Sequence, residues 1–533
     1  MMTLSKSDLV EILRLHEQEN KSCRQIAQIF GCGKSTINDF LTRKSHQEFW
    51  EAHDEKPVAS GTIETTEAPD RVLSSGVYVF TCAQNNTYVY DDFLKSLENY
   101  CEARNASLMI GTFHYNKNAY SKGDEQDSEC WFDSKIRKYI VNENIIIADD
   151  LLWCGKLDII PTAVNPMSGF NSYTKHRSGI FPHVKVQMES LPTPKFEPVR
   201  FMYSTGTVTQ RNYIQRKAGQ IASFHHVYGA LVVEVDSDGD WFARQLIADP
   251  EDASIQDLTT IYRPDGTIEY DCPVEAINWG DVHSASLDPV VRDLGWNPAK
   301  DDTMAQVLLP KYQFVHDVFD MKNRNHHNIS DPYFRYKMHV ENTESVEEEV
   351  SDTSKVLSEM SIWSDVKVAQ SNHDLALKKW LREQDYRNDP VNAEYFLRLQ
   401  LATYESIRLG NRDFMVFEYA CRQTSHDLTD VEFLGEDESF MICDDIECGQ
   451  HGHNGNNGAR GSIRSFQVQG RKYNTGHTHS ASIKDGVYTA GVSGKLDMGY
   501  NVGGSSWSHS HIVTYPNGKR TIVTMRNGKW RAS

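Results

Sequence analysis

The sequence predicts a mixed α/β protein, and three patterns predict it. In the C-terminal half, five short runs rich in β-formers are each followed by a polar cluster, as when the strands of an open sheet carry functional groups at their C-terminal ends. From Val77 onward, strand-like runs alternate with a helical pattern. Residues 1–46 carry only helical periodicity. At 533 residues the chain has room for about three domains. The expected division is a helical module at 1–46, a linker at 47–75, an α/β domain at 76–272 and a second α/β domain at 273–533.

In the N-terminal module a helix is expected from about Ser5 to Glu19, with Leu9, Ile12, Leu13 and His16 on one side. Ser22 and Gln25 form a capping box for a second helix whose apolar face is Ile26, Ala27, Ile29 and Phe30. Gly31-Cys32-Gly33 turns the chain, and Ile37, Phe40 and Leu41 pack a third helix. The unit resembles the homeodomain-like helix-turn-helix of recombinases and transposases, a resemblance that places Lys34, Ser35, Thr36 and Asn38 in the major groove of DNA. Because the segment is close to neutral, a small oligomerisation module is the alternative. Gly33-Lys34-Ser35 is not a P-loop: Gln28 stands where the first glycine belongs and no strand precedes it. No nucleotide cofactor is expected.

Lys44 to about Ser75 is polar and reads as a linker. Strands are expected at Val77–Cys82, Ser107–Phe113, Ile145–Ala148 and Leu231–Val235, a helix at Tyr90–Arg104, and a hairpin across Arg263-Pro264-Asp265-Gly266-Thr267. The chemistry of this α/β segment is not legible. Its basic runs, Lys175 to Gly179 and Thr209 to Lys217, are either DNA-phosphate contacts or ordinary surface cations.

The polar clusters of the C-terminal half are Gly280-Asp281-Val282-His283, His316-Asp317-Val318-Phe319-Asp320, Ser371-Asn372-His373-Asp374, His451-Gly452-His453 and Gly476-His477-Thr478-His479. They follow Val274–Trp279, Tyr312–Val315, Val366–Ala369, Ser439–Ile442 and, weakly, Arg471–Asn474. Carboxylates, an amide oxygen and neutral imidazoles are the donors that two divalent ions of the manganese or zinc type take. Each cluster alone is a common turn or surface pair; all five in this order point to a metal site.

That order resembles the calcineurin-like metallophosphoesterase superfamily, whose motifs read D-x-H, G-D-x-x-D, G-N-H-D/E, H and G-H-x-H. The resemblance covers about Val274 to the C-terminus and implies a four-layer αββα sandwich. It further implies that Asp281, His283 and His479 hold one ion, that Asp317 bridges both, and that Asn372, His451 and His477 hold the second. His373 then stands beside the phosphate without binding metal, with Asp374 available to orient its ring. His451 is preferred to His453 as the ligand of the fourth motif. Asp320 and His453 remain possible metal or substrate contacts. Arg460 is either a phosphate clamp or an exposed arginine, and His326 and His327 are either substrate contacts or part of a solvated loop. His316 and Ser371 stand where the motifs have glycine, so those turns are expected without a left-handed residue at these positions.

A net charge of −19 at pH 7 argues against broad non-specific attraction to DNA without excluding it. Part of it lies in Glu341 to Glu349, expected to be a solvated run. Ten cysteines without a repeated C-x-x-C spacing, no signal peptide and no long apolar run fit reduced thiols in a cytoplasm and no membrane partner. The layout is similar to the early DNA-degradation proteins of tequintavirus-type bacteriophages, which resemble SbcCD-type repair nucleases of the same superfamily. It implies a manganese-dependent DNase in the infected bacterial cytoplasm, degrading DNA as a homo-oligomer. A phosphomonoesterase or cyclic-nucleotide phosphodiesterase would use the same metals without needing the N-terminal module. A DNA-binding regulator with an inactive site is the third possibility.

Overall fold

A computed structural model describes residues 11–12, 15–16, 21–42, 71–116, 130–325 and 328–532. The chain divides into two compact units, Met1–Asp70 and Arg71–Ser533.

In the first unit, α1 (Cys23–Phe30) and α2 (Lys34–Thr42) are joined by a turn in which Gly31 is left-handed (φ 62°), the conformation glycine reaches without a Cβ clash. The Ser22 N–H donates to Gln25 Oε1 at 2.9 Å, as the capping box requires. Ile26, Ala27 and Ile37 are buried with Ile12 and Leu15. Two expectations fail here. Ile29 is exposed, and at 15–16 it is Leu15 that is buried while His16 faces out, because the inward stripe runs through positions 12 and 15, one helical step apart. Leu9, Leu13 and the Phe40 side chain lie outside the described residues.

The second unit begins with β1 (Arg71–Val72), β2 (Gly76–Gln84), α3 (Asp91–Ala103), β3 (Ser107–Phe113), β4 (Asn144–Ala148), β5 (Leu151–Cys154), β6 (Ser178–Phe181), β7 (Val186–Leu191) and β8 (Arg200–Thr205). It continues with α4 (Lys217–His225), β9 (Gly229–Val235), β10 (Trp241–Ile247), β11 (Ile255–Asp257), β12 (Thr260–Tyr262) and β13 (Ile268–Glu269). Then come β14 (Ala276–Asn278), α5 (Pro289–Gly295), α6 (Met304–Leu308), β15 (Tyr312–Val315), α7 (Pro332–Glu341), α8 (Val346–Ser361), β16 (Asp365–Ala369), α9 (Leu375–Glu383), α10 (Ala393–Arg408), α11 (Val416–Arg422) and β17 (Val431–Leu434). The last elements are β18 (Met441–Ile442), β19 (Ile446–Glu447), α12 (Ile463–Gln467), β20 (Lys472–Thr475), β21 (Ser482–Lys484), β22 (Val487–Thr489), β23 (Ser510–Thr514) and β24 (Arg520–Thr524).

The strands make an 11-stranded sheet in the order β1-β4-β5-β6-β8-β7-β21-β22-β20-β19-β18, a six-stranded sheet β17-β16-β15-β14-β23-β24, a four-stranded sheet β10-β9-β2-β3 and a small sheet β11-β12-β13. Central strands such as β2 (GVYVFTCAQ) are buried along most of their length, which their β-branched and aromatic residues suit. Phe80, Trp153, Tyr203, Tyr488, Ile512 and Ile522 belong to one core shared by the three large sheets. The four- and six-stranded sheets abut: the Gln245 N–H of β10 donates to Thr521 Oγ1 (2.9 Å) and its Oε1 accepts from the Ile522 N–H of β24 (3.0 Å). Helices α8, α9 and α11 pack on the six-stranded sheet and α3 on the four-stranded one.

The break expected at 272/273 does not separate compact units. Strands from both sides of it pair in the 11-stranded sheet, β7 with β21. The linker expected to reach residue 75 ends earlier, since Arg71 and Val72 pair with β4. The run Glu341–Glu349 is not simply solvated: it spans the end of α7 and the first turn of α8, where Glu349 is buried and accepts from the Lys322 and Asn323 N–H groups (2.7 and 3.3 Å).

Candidate metal centre

β14, β15 and β16 run parallel, so the loops that follow them leave the same edge of the sheet. Backbone pairing continues past the strand ends, with the His283 N–H donating to the Asp317 carbonyl at 2.8 Å. The chain segments after β19 and β20 bring in His451, His477 and His479. The fourth motif therefore follows β19, not the β18 run read from sequence.

Two groups of ligand-type atoms form there and share Asp317: Asp281, His283, Asp317 and His479 in one, Asp317, His451 and His477 in the other. His479 Nε2 lies 3.1 Å from Asp281 Oδ2 and 3.0 Å from His283 Nε2, and His451 Nε2 lies 3.3 Å from Asp317 Oδ1. The His477 N–H donates to Asp281 Oδ2 at 2.7 Å. Gly476 is obligatory for that approach, since a Cβ there would lie 2.1 Å from Asp281 Oδ1.

Asp281 Oδ1, Asp317 Oδ1, both ring nitrogens of His451 and Nδ1 of His479 are buried without a hydrogen-bond partner. Burial of unpaired polar atoms is costly, and carboxylates among imidazoles are a donor set that divalent transition ions fit. Burial would raise Asp317, but His451, His373 and His283 hold it well below the usual carboxylate range. Burial would lower His283, yet Asp320, Asp317 and Asp281 together raise it to about 9. His453, at the rim beside His451, is lowered to about 4 by burial and by that neighbour. His451 is the member of the pair that falls in the group with Asp317.

His373 is only partly exposed, its ring 5.0 Å from that of His283. The carboxylate nearest it is Asp320, with Oδ1 at 3.8 Å from His373 Nδ1 and 2.5 Å from His283 Nδ1. Asp374 is otherwise engaged, contrary to the sequence expectation: it accepts from the Phe319 N–H and from the Ser371 N–H and hydroxyl, closing the loop after β16 where a glycine was expected. Neither His316 nor Ser371 is left-handed; within the five clusters the left-handed non-glycine residues are His283, Asp317, His477 and His479. Asn372 is exposed and lines a cavity of about 350 Å³ with His373, Asn325, Lys378, Lys379 and Arg382. Arg460 is exposed in the loop after His453, and His326 and His327 lie outside the described residues.

Sequence reading missed several of these groups. Lys378, Lys379 and Arg382 sit on α9, and the Leu-Lys-Lys-Trp-Leu-Arg run after the third motif was the available signal. His316 is fully buried against His451 (ring centroids 5.6 Å) and lowered to about 4 by burial. Trp507 packs edge-on to His479 at 4.2 Å.

No family model matches the chain. It is 42% identical over 487 residues to Protein A1 of Escherichia phage T5, an alignment covering 90% of this chain and 87% of that protein. The chain belongs to the Protein A1 family. Membership of the A1 family agrees with the bacteriophage resemblance read from the motifs. Among the described residues of this A1-family chain no helix is long and apolar enough to cross a membrane, and none of its ten cysteines is in a disulfide.

Proposed function

We propose that the protein is a divalent-metal-dependent DNA nuclease of the calcineurin-like metallophosphoesterase type, degrading DNA in an infected bacterial cytoplasm. The observation that carries this reading is the pair of buried aspartate and histidine groups sharing Asp317, with ligand atoms left unpaired. The six-stranded sheet, its share of the 11-stranded sheet and the helices outside support the αββα sandwich that the motifs imply.

Asp281, His283, Asp317 and His479 would hold one ion and Asp317, Asn372, His451 and His477 the other, manganese being the ion we favour. When bound, two such ions supply charge to offset a phosphodiester and acidify water for in-line attack. The protein's own groups do the rest. His373, at the cavity edge, donates to a phosphate oxygen or to the leaving alkoxide, and Asp320, 3.8 Å from its Nδ1, orients the His283 ring beside it. Lys378, Lys379 and Arg382 line the cavity beside it, a cationic run that suits a continued phosphate backbone better than a single monoester. Arg460, exposed in the loop after His453, would add a phosphate clamp. Lys34, Ser35, Thr36 and Asn38, all exposed on α2, would read duplex DNA, and the active form is a homo-oligomer.

The test is incubation of the purified protein with linear duplex, circular duplex and single-stranded DNA, with manganese or with a chelator. Cleavage that requires manganese is expected. Hydrolysis of monoesters with DNA left intact would remove the nuclease assignment, and no hydrolysis of any phosphoester would favour the DNA-binding regulator.

A further inference from the structure

Two stretches of the second unit run through the same strand programme. In the four-stranded sheet the order is β10-β9-β2-β3, and the six-stranded sheet ends β24-β23-β14-β15. In both, the first strand (β2 or β14) pairs parallel with the next (β3 or β15) and antiparallel with a later one (β9 or β23) that leads into a hairpin. Within the 11-stranded sheet, β4-β5-β6-β8-β7 and β18-β19-β20-β22-β21 share one succession of pairings: antiparallel, parallel, parallel, antiparallel.

The loops agree residue by residue. Cys82 bridges to Thr207 as Asp281 bridges to Val492, and Val89 to Thr209 as Leu287 to Gly494. The Val208 N–H donates to the Cys82 carbonyl as the Ser493 N–H does to that of Asp281. Tyr90 donates to Val208 as Asp288 does to Ser493, and each then starts a helix, α3 or α5. Tyr203-Ser204-Thr205-Gly206 recurs as Tyr488-Thr489-Ala490-Gly491 at matching positions.

We infer that residues 76–247 and 276–524 are two copies of one fold related by a local two-fold axis, and that the first copy's counterpart of the metal centre is sealed and takes no metal. The axis is fixed by the seam. Met188 pairs with Tyr203 and Ile483 with Tyr488, so Met188 and Ile483 are equivalent, and they lie directly opposite each other where β7 meets β21. A residue facing its own counterpart is what a two-fold between antiparallel strands demands. The same register makes Arg244 and Ile522 equivalent, and Gln245 beside the first bonds to Ile522 itself.

Carried through these registers, Cys82 stands for Asp281, Gln84 for His283, Gly111 for Asp317 and His183 for His477. Cys82, Phe113 and Val184 form a buried cluster of their own. The Cys82 thiol donates to the Gly206 carbonyl at 3.1 Å and burial pushes it up to about 12, leaving it protonated and a poor ligand. Both His183 nitrogens are engaged, Nδ1 by the Lys185 N–H (3.1 Å) and Nε2 near the Ile160 carbonyl (3.3 Å). A Cβ on Gly111 would meet Pro182 and Trp153 under 3 Å, so no carboxylate fits there. None of these four residues is left-handed, whereas His283, Asp317 and His477 are. Among the described residues the segment carrying Asn372 and His373 has no counterpart: the four-stranded sheet ends at β3, with no strands equivalent to β16 and β17 beyond it.

The duplication stands independently of the proposed function; the metal statement rests on it. The test is manganese content per full-length chain for three proteins: the natural sequence, Asp281→Ala with Asp317→Ala and His477→Ala, which removes both carboxylates of the centre, and Cys82→Ser with His183→Gln. Two ions, none and two are expected. Residual manganese in the second protein, or a loss from the third while it keeps its circular dichroism and Tm, overturns the sealed site. No metal in any of the three sinks the reading of the second-copy centre and is still the expected result for the first. An experimental density map, which needs no variant, tests the duplication: rotation by about 180° should place Cys82 on Asp281 and Met188 on Ile483, and any other register overturns it.

Discussion

His283, Asp317, His477 and His479 hold left-handed backbone with φ of 50°, 44°, 74° and 57°, a conformation costing on the order of 1–3 kcal/mol for each non-glycine residue. The fold sustains that cost to aim ligand atoms at a common point. Asp317 belongs to both ligand groups, so Asp317→Ala is expected to abolish manganese-dependent hydrolysis and to lower bound metal, with circular dichroism unchanged. His373→Ala should keep its metal and lose roughly 10²-fold or more in turnover; metal analysis finding an ion lost from this variant would make His373 a ligand. The ligand types and their close spacing were legible because each cluster sits on one short loop. The work of Asp320, His316 and α9's cations was not, since the facing of a side chain depends on registers set between distant strands.

At the scale of elements, α8 ties the site to the helical layer through Glu349, whose first turn position is buried against the loop that follows Asp320. Burial, with Asp320 nearby, raises its carboxyl to about 7. A raised acid favours the protonated fold: its contribution is complete below the ordinary glutamate value of about 4.3 and is lost as pH rises through 7. Glu349→Gln keeps an oxygen for the Lys322 N–H and loses the acceptor of the longer Asn323 N–H bond (3.3 Å). It should lower stability slightly at pH 4 and raise it at pH 8 by up to about 3 kcal/mol, measured by urea denaturation at the two pH values. Elements with strong periodicity were legible in the sequence, among them β3 and β15, whose expected bounds coincide with the observed strands. The two-residue β18 and β19 were not, because so short a run carries no period.

For the whole molecule, the two compact units make a clean separation of chemistry from recognition testable. A chain beginning at Arg71 is expected to keep its hydrolysis of bis-p-nitrophenyl phosphate, while its affinity for duplex DNA falls and depends less steeply on salt. Unchanged affinity and an unchanged salt slope would assign α1 and α2 to self-association. The α/β class and the helical N-terminal module could be read from local pattern. The joining of both halves in one sheet could not, since Met188 and Ile483 are brought together by pairing across nearly 300 residues and nothing in either neighbourhood announces the other.

The seam between β7 and β21 also bears on synthesis. Once Ile247 has left the ribosome every strand of the first half exists, yet β7 and β10 await neighbours that have not been translated. Unpaired edges invite other chains, and an edge destined for its own likeness is self-complementary. Neighbouring nascent chains on one message can therefore join through β7, the more so the slower the stretch that follows is read. The hazard ends late: His479 emerges just before Ser482 opens β21, so the edge is covered and the ligand set is completed within the same few residues of translation.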